Sequence, residues 1–205
     1  MSRTRVKICG ITRPQDVDAA VSAGADALGF VFTHRSKRHV TIGAARELVA
    51  RVPAFVSRVG LFMDQEAHDV AAVLSEVPLS LLQFHGRESG AFCSRFGLPY
   101  IKALDVAGAT APGLAQEYAG AAALLLDSHE AGAPGGTGKS FDWTSIPELP
   151  KPLVLAGGLN PENVRRAVAS VAPWAVDVSS GVEDSPGMKN EGKMIEFINE
   201  AKRED

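Results

Sequence analysis

Cysteine is scarce in this chain. Its 205 residues hold two, Cys9 and Cys93, far apart, with no CxxC pair and no histidine-rich segment beside either, so neither a disulfide framework nor a zinc site is expected. Long apolar runs are missing as well. No stretch approaches the ~18 residues of a membrane span, and the opening MSRTRVKICG has basic residues without an apolar segment behind them, so a reducing cytoplasm and no membrane partner are expected. Positive charge is not in excess either: 21 Lys and Arg face 24 Asp and Glu, a formal net charge of −3 with both signs scattered. Nothing then draws nucleic acid or anionic lipid to the chain as a whole, and a charged ligand has to be met by a local site. No low-complexity tract or proline-rich linker divides the sequence.

What is present is an ordinary globular mixture, 45% hydrophobic and 22% charged, with enough apolar material for a sizeable core. Eight short apolar runs recur: RVKIC (5–9), ALGFVF (27–32), FVSRVGLF (55–62), LSLLQFH (79–85), YIKAL (100–104), AALLLD (122–127), LVLAG (153–157) and AVDVSS (175–180). Each ends at a Gly, Pro or polar break. Amphipathic stretches such as PQDVDAAVSAGA, IGAARELVARV, QEAHDVAAVLSEV and PENVRRAVASV lie between them and read as helices. Strand, helix, strand at even spacing argues for parallel strands with crossover helices, because parallel neighbours cannot be joined by tight hairpins. The expectation is one α/β domain over residues 1–205, a closed (β/α)8 (TIM) barrel; an open doubly wound sheet is the alternative, since counting strands does not show closure. The sixth crossover, 132–143, breaks the rhythm and reads as a Gly-rich loop.

In such a barrel side chains alternate between interior and helix layer. Val6 and Ile8 then face helices, while Lys7 and Cys9 point inward; Asp177 on the eighth strand, which neighbours the first, pairs with Lys7 and avoids an unpaired buried charge. That pair either tunes the Cys9 thiol from below or is simply an ionic packing layer. Working groups in these barrels sit at the C-terminal ends of strands. Cys9 and Asp127 both stand there, although a cysteine in an apolar setting is most often a small hydrophobe and an aspartate after a strand is often a turn residue. His85, closing LLQFH, reads either as a core histidine or as a substrate contact.

GAPGGTGKS (132–140) fails as a nucleotide-binding P-loop, because Gly132 and Gly138 enclose five residues where the motif allows four. It reads instead as a loop over the site. Two other breaks suit a phosphate better. LAGGLNPENV offers Gly157 and Gly158, then Asn160 as a helix cap with Pro161 behind it; AVDVSSGVE offers Ser180 and Gly181. The loops after strands seven and eight are where barrels often hold a phosphate. THRSKRH (33–39) carries five basic or histidine side chains after strand two, enough to aim an arginine at a substrate carboxylate.

Taken together, VKICGIT, GADALGFVF, SKR, LLQFHG, LLLDS, GGTGKSFDW, LAGGLNPENV and VDVSSGVEDSPGMK resemble the phosphoribosylanthranilate isomerase family of tryptophan biosynthesis, almost from end to end. The resemblance implies a cofactor-free barrel, monomer or homodimer, that carries out an Amadori rearrangement of a small-molecule phosphosugar. It also implies roles: Cys9 as general base, Asp127 as general acid, Arg38 holding the anthranilate carboxylate, and the loops at Gly158, Ser180 and Gly181 holding phosphate. Asp127 then has to carry a proton near neutral pH, and Cys9 needs thiolate character that Lys7 or a developing cation would favour. Two departures are small: Asn190 stands where many relatives have Asp and can equally cap the last helix, and Phe84 replaces a commoner Leu on the helix-facing side. The rival readings are a lyase using Lys7 or Lys102 as a Schiff-base amine and a phosphosugar-binding protein without turnover.

Overall fold

Eight parallel strands run in sequence order around one sheet: β1 (Arg5–Cys9), β2 (Ala27–Val31), β3 (Ser57–Phe62), β4 (Leu81–Phe84), β5 (Tyr100–Leu104), β6 (Ala123–Leu126), β7 (Leu153–Leu155) and β8 (Ala175–Val178). Strand β8 pairs in parallel with β1, with Lys7 opposite Asp177, so the barrel is closed and the open sheet is excluded. This is a computed structural model, and it describes residues 3–105, 109–111, 113–127, 146 and 149–203. The expected sixth-crossover loop at 132–143 lies outside the described residues. Among those described, no helix is long and apolar enough to cross a membrane.

Among the described residues the helices are α1 (Pro14–Ser22), α2 (Ile42–Val49), α3 (Ala67–Glu76), α4 (Gly90–Cys93), α5 (Leu114–Glu117), α6 (Val164–Val171) and α7 (Glu191–Lys202). Local chemistry sets several starts. Pro14 occupies the first turn of α1, where its missing N–H costs nothing; Thr41 caps α2 by accepting from the Ala44 N–H at 3.2 Å, and Asn190 caps α7 by accepting from Lys193 at 2.9 Å. Helix α7 buries Met194, Phe197, Ile198 and Ala201, a stripe at spacings of three and four. Each of its large side chains contributes about 1.5–3 kcal/mol by leaving water.

Asn160 caps as expected, a turn ahead of the regular helix: its side-chain oxygen accepts from the N–H groups of Glu162 and Asn163 at 2.9 and 3.1 Å and its carbonyl from the N–H of Val164 at 3.1 Å, opening the ladder that α6 continues from Val164. The fourth crossover is shorter than the helical rhythm suggests, just α4 and a 3-10 turn at Ser94–Phe96. An antiparallel hairpin of β9 (Glu183–Ser185) and β10 (Met188–Lys189) follows β8 and has no counterpart in the strand count.

Alternation sorts the side chains as expected. Val6, Ile8 and Phe84 lie in the layer between sheet and helices, where Phe84 meets Phe62, Phe92, Phe96 and Tyr100 with ring centroids about 6 Å apart. Inside the barrel, Ile101, Ala103, Ala123, Leu125, Val154 and Ala175 form an apolar plug on the β5–β8 side. The β1–β3 side carries Cys9, Val31 and Leu61 above the Lys7–Asp177 pair. The plug supplies a buried apolar floor, and the polar side chains above it stand at strand ends.

Candidate active site

The strand ends enclose a cavity of about 720 Å³. Every residue expected to form the site on the isomerase reading lines it: Cys9, Arg38, His85, Asp127, Gly157, Gly158, Asp177, Ser180 and Gly181. Strand alternation is the cause. Cys9, Gln83, Asp127 and Asp177 occupy, or directly follow, inward positions of β1, β4, β6 and β8, so residues distant in sequence converge on one mouth.

Cys9 is 5% exposed and sits over an ion pair, Lys7 Nζ to Asp177 Oδ1 at 2.8 Å, whose side chains are almost fully buried. Burial pushes the thiol up, the Lys7 ammonium pulls it down, and Asp177 pushes it up again; the balance lies above the ordinary thiol range. Lys7 therefore favours the thiolate, while desolvation opposes it more strongly. Gly29, opposite Cys9 in β2, makes room for the sulfur. A Cβ at that position would stand 2.8 Å from Cys9 Sγ and 3.1 Å from Lys7 Nζ.

Asp127 is held by its N–H donating to the Leu104 carbonyl at 3.1 Å, and its Oδ2 lies 3.5 Å from His85 Nε2. The other ring nitrogen of His85 is 3.1 Å from the amide nitrogen of Gln83, a fully buried residue one inward position below it. The core reading of His85 is corrected by this placement. The ring is part of the cavity wall and touches the carboxylate, because a residue just past the end of β4 on the inward side faces the mouth rather than the packed layer.

Arg38 makes two bonds to Glu183, Nε to Oε1 at 3.2 Å and Nη2 to Oε2 at 2.6 Å. Glu183 also accepts from Lys189 at 2.8 Å, and Lys189 donates to the Ser179 carbonyl at 3.0 Å. Burial alone would raise the Glu183 carboxyl, but the Arg38 hydrogen bond and the Lys189 charge outweigh it and hold it below the usual range. The loops after β7 and β8 pack backbone to backbone: a Cβ at Gly181 would collide with the Leu159 carbonyl oxygen. Gly157 and Gly158 both have positive φ, 85° and 65°, which lets the chain turn sharply at the cavity wall. Glu183, Lys189, Gly29 and Gln83 escaped the sequence reading. Alternation places Gln83 and Gly29 inward, but nothing local distinguishes them from filler; the hairpin that carries Glu183 and Lys189 is visible only as the Pro-Gly turn in EDSPGMK.

Neither lysine of the lyase reading is available as a nucleophile. Lys102 is 1% exposed and donates to the carbonyls of Phe84, Gly86 and Ala103 and to Glu88 Oε2, at 2.6–3.4 Å. Lys7 is pulled down by burial, but Asp177 and Cys9 raise it further and keep it charged. Both amines are therefore tied up below the cavity floor rather than presented to a carbonyl.

Comparison with known proteins agrees with the geometry. The family model described as N-(5'phosphoribosyl)anthranilate (PRA) isomerase matches residues 6–200. The N-(5'-phosphoribosyl)anthranilate isomerase of Pseudomonas fluorescens strain Pf0-1 is 53% identical over 201 residues, 97% of this chain and 98% of the relative; that of Thiobacillus denitrificans is 54% identical over 200 residues, with 97% and 98% covered. The crystal structure of phosphoribosyl anthranilate isomerase from Thermotoga maritima superposes with a TM-score of 0.87 at 43% identity, covering 97% of this chain and 98% of that one. A structure of such an isomerase in complex with reduced 1-(o-carboxyphenylamino)-1-deoxyribulose 5-phosphate gives 0.82 at 40% identity, with the same coverage. By fold, by motif and by similarity over nearly its whole length, this chain belongs to the N-(5'-phosphoribosyl)anthranilate isomerase family.

Proposed function

We propose that the chain converts N-(5-phosphoribosyl)anthranilate to 1-(2-carboxyphenylamino)-1-deoxyribulose 5-phosphate, the isomerase step of tryptophan biosynthesis, with Asp127 as acid and Cys9 as base. The observation that carries this reading is that a carboxyl and a thiol from β6 and β1 share one cavity with an arginine after β2 and two glycine loops after β7 and β8. A ligand with an anion at each end fits that layout: carboxylate toward Arg38, phosphate toward Gly157, Gly158, Ser180 and Gly181.

Asp127 delivers a proton to the furanose ring oxygen as the C1′–O bond breaks, and the nitrogen lone pair forms the C1′=N iminium. His85 beside it stabilises the carboxylate left behind. Cys9 then takes the proton from C2′, and the released electron pair neutralises the iminium to give an enolamine. Protonation at C1′ by the Cys9 thiol and return of the C2′ hydroxyl proton to the Asp127 carboxylate complete the ketose, so both groups end as they began and nothing is gained or lost overall. To act as the base Cys9 must first be ionised, its thiol proton leaving to solvent through the cavity mouth, and both Lys7 and the iminium cation formed beside it favour that ionisation. A thiolate with a raised pKa is in turn the stronger base for a carbon acid.

The test is turnover, followed by the loss of phosphoribosylanthranilate fluorescence. Cys9→Ala and Asp127→Asn should each lose about 10²- to 10⁴-fold in kcat, while a reduced product analogue binds nearly as before. Near-normal turnover in either variant removes that residue from the chemistry.

A further inference from the structure

Arg38 does not stand alone in the cavity wall. Two of its three guanidinium nitrogens are taken by Glu183, leaving Nη1 as the one not used in that pair. The side chains of Glu183 and Lys189 are 4% and 0% exposed, so the cluster is built into the protein rather than formed at its surface. Glu183 begins the β9–β10 hairpin and Lys189 ends it; Gly187, in the turn between them, donates its N–H to Glu183 Oε1 at 3.2 Å. Lys189 Nζ has three acceptors within reach, Glu183 Oε1 and the carbonyl and hydroxyl oxygens of Ser179 at 2.8, 3.0 and 3.5 Å.

The cluster therefore ties two loops together. Arg38 belongs to the loop after β2, and Ser179 opens the loop after β8 that carries Ser180 and Gly181. The Glu183 carboxylate is shared between Arg38 and Lys189, so it orients the guanidinium without taking all of its attraction for an anion.

We propose that Glu183 is a positioning residue for substrate selection: through its two bonds to Arg38 and its bond to Lys189, it fixes the arginine's free edge at a set distance from the phosphate loop, so that the enzyme selects ligands whose carboxylate and phosphate are that far apart. The proposal rests on the reading of Arg38 as the carboxylate contact. An isolated arginine would sample many rotamers; the buried carboxylate removes that freedom before substrate arrives, and the ordering is done during folding rather than binding.

The experiment crosses enzyme variants with two substrates, N-(5-phosphoribosyl)anthranilate and N-(5-phosphoribosyl)aniline, which lacks the ring carboxylate. Glu183→Gln keeps the shape and removes the charge. It should lower kcat/KM for the anthranilate substrate about tenfold, the worth of one charge-assisted contact, mainly through KM, and change the aniline substrate less than about twofold. Arg38→Ala should remove the preference between the two substrates altogether. If Arg38→Ala leaves the preference intact, the reading of Arg38 fails. If Arg38→Ala removes it but Glu183→Gln slows both substrates equally, Glu183 is merely structural and the proposal falls alone. Should Glu183→Gln not fold, Glu183→Asp, which keeps the charge one methylene short, should fold and show the same selective loss at smaller size; equal loss on both substrates would overturn the proposal there too.

Discussion

Gly29→Ala perturbs the site without replacing any group that exchanges a proton. The added methyl would stand 2.8 Å from Cys9 Sγ, 3.1 Å from Cys9 Cα and 3.1 Å from Lys7 Nζ. Ordinary non-bonded contact is about 3.5–4.0 Å, so the sulfur has to retreat by roughly 1 Å. A misplacement of about 1 Å at a reacting group costs on the order of 10²-fold in rate, and crowding a packed interior costs about 1–3 kcal/mol of stability. In a chain of this size that is a fall in melting temperature of about 2–4 °C per kcal/mol. Steady-state turnover and thermal unfolding are measured on wild type, Gly29→Ala, Cys9→Ala and the double variant. The loss runs through the sulfur, so the double variant should turn over no more slowly than Cys9→Ala. The methyl should also destabilise less once the sulfur is gone, leaving a coupling energy between the two sites. Wild-type kcat in Gly29→Ala would refute the reasoning, because a base displaced by that much should not work. A rate loss that persists undiminished in the Cys9→Ala background would shift the cause to Lys7.

Two further outcomes follow from the ionisable groups. Cys9, raised above the ordinary thiol range, should react with iodoacetamide in the ligand-free protein with a midpoint above ~8.5; Cys93, fully buried and pushed up to about 12, should not compete. A midpoint near 7 would show that Lys7 outweighs burial after all. The Glu183 carboxyl is held below the usual range, so its contribution to stability is present above its unfolded value of ~4.3 and is lost as pH falls through the lower folded value. The stability gap between wild type and Glu183→Gln, followed by denaturant unfolding, should therefore shrink between about pH 5 and pH 3. A constant gap across that range would mean the charge of Glu183 is not what the fold uses.

Much of this architecture was legible one residue at a time. Eight apolar runs ending in Gly, Pro or polar breaks predicted eight strands, and period-two alternation predicted that Cys9 and Asp177 face inward while Phe84 faces out, because the pleat of a strand leaves no third choice. The cap at Asn160 was readable as well, while the regular helix behind it begins a turn later, at Val164. The position of Asp127 at a strand end and of glycines in two particular loops was readable too. The identity of these groups as acid, base and phosphate loops came from the motif set rather than from spacing.

Closure was decided by tertiary structure alone, since a count of strands does not say that β8 returns to β1. The same is true of every relation that depends on that return. The Lys7–Asp177 pair spans the closing seam, Gly29 matters because another strand's sulfur occupies its missing side chain's place, and His85 meets Asp127 across the mouth. The charge on Cys9 is likewise set by what surrounds it, desolvation against two neighbouring ions, and Arg38 is aimed by a carboxylate 145 residues further along the chain. Sequence patterns report the face a residue presents, because that depends on the local backbone; they are silent on what it meets there, because that depends on how the chain folds back on itself.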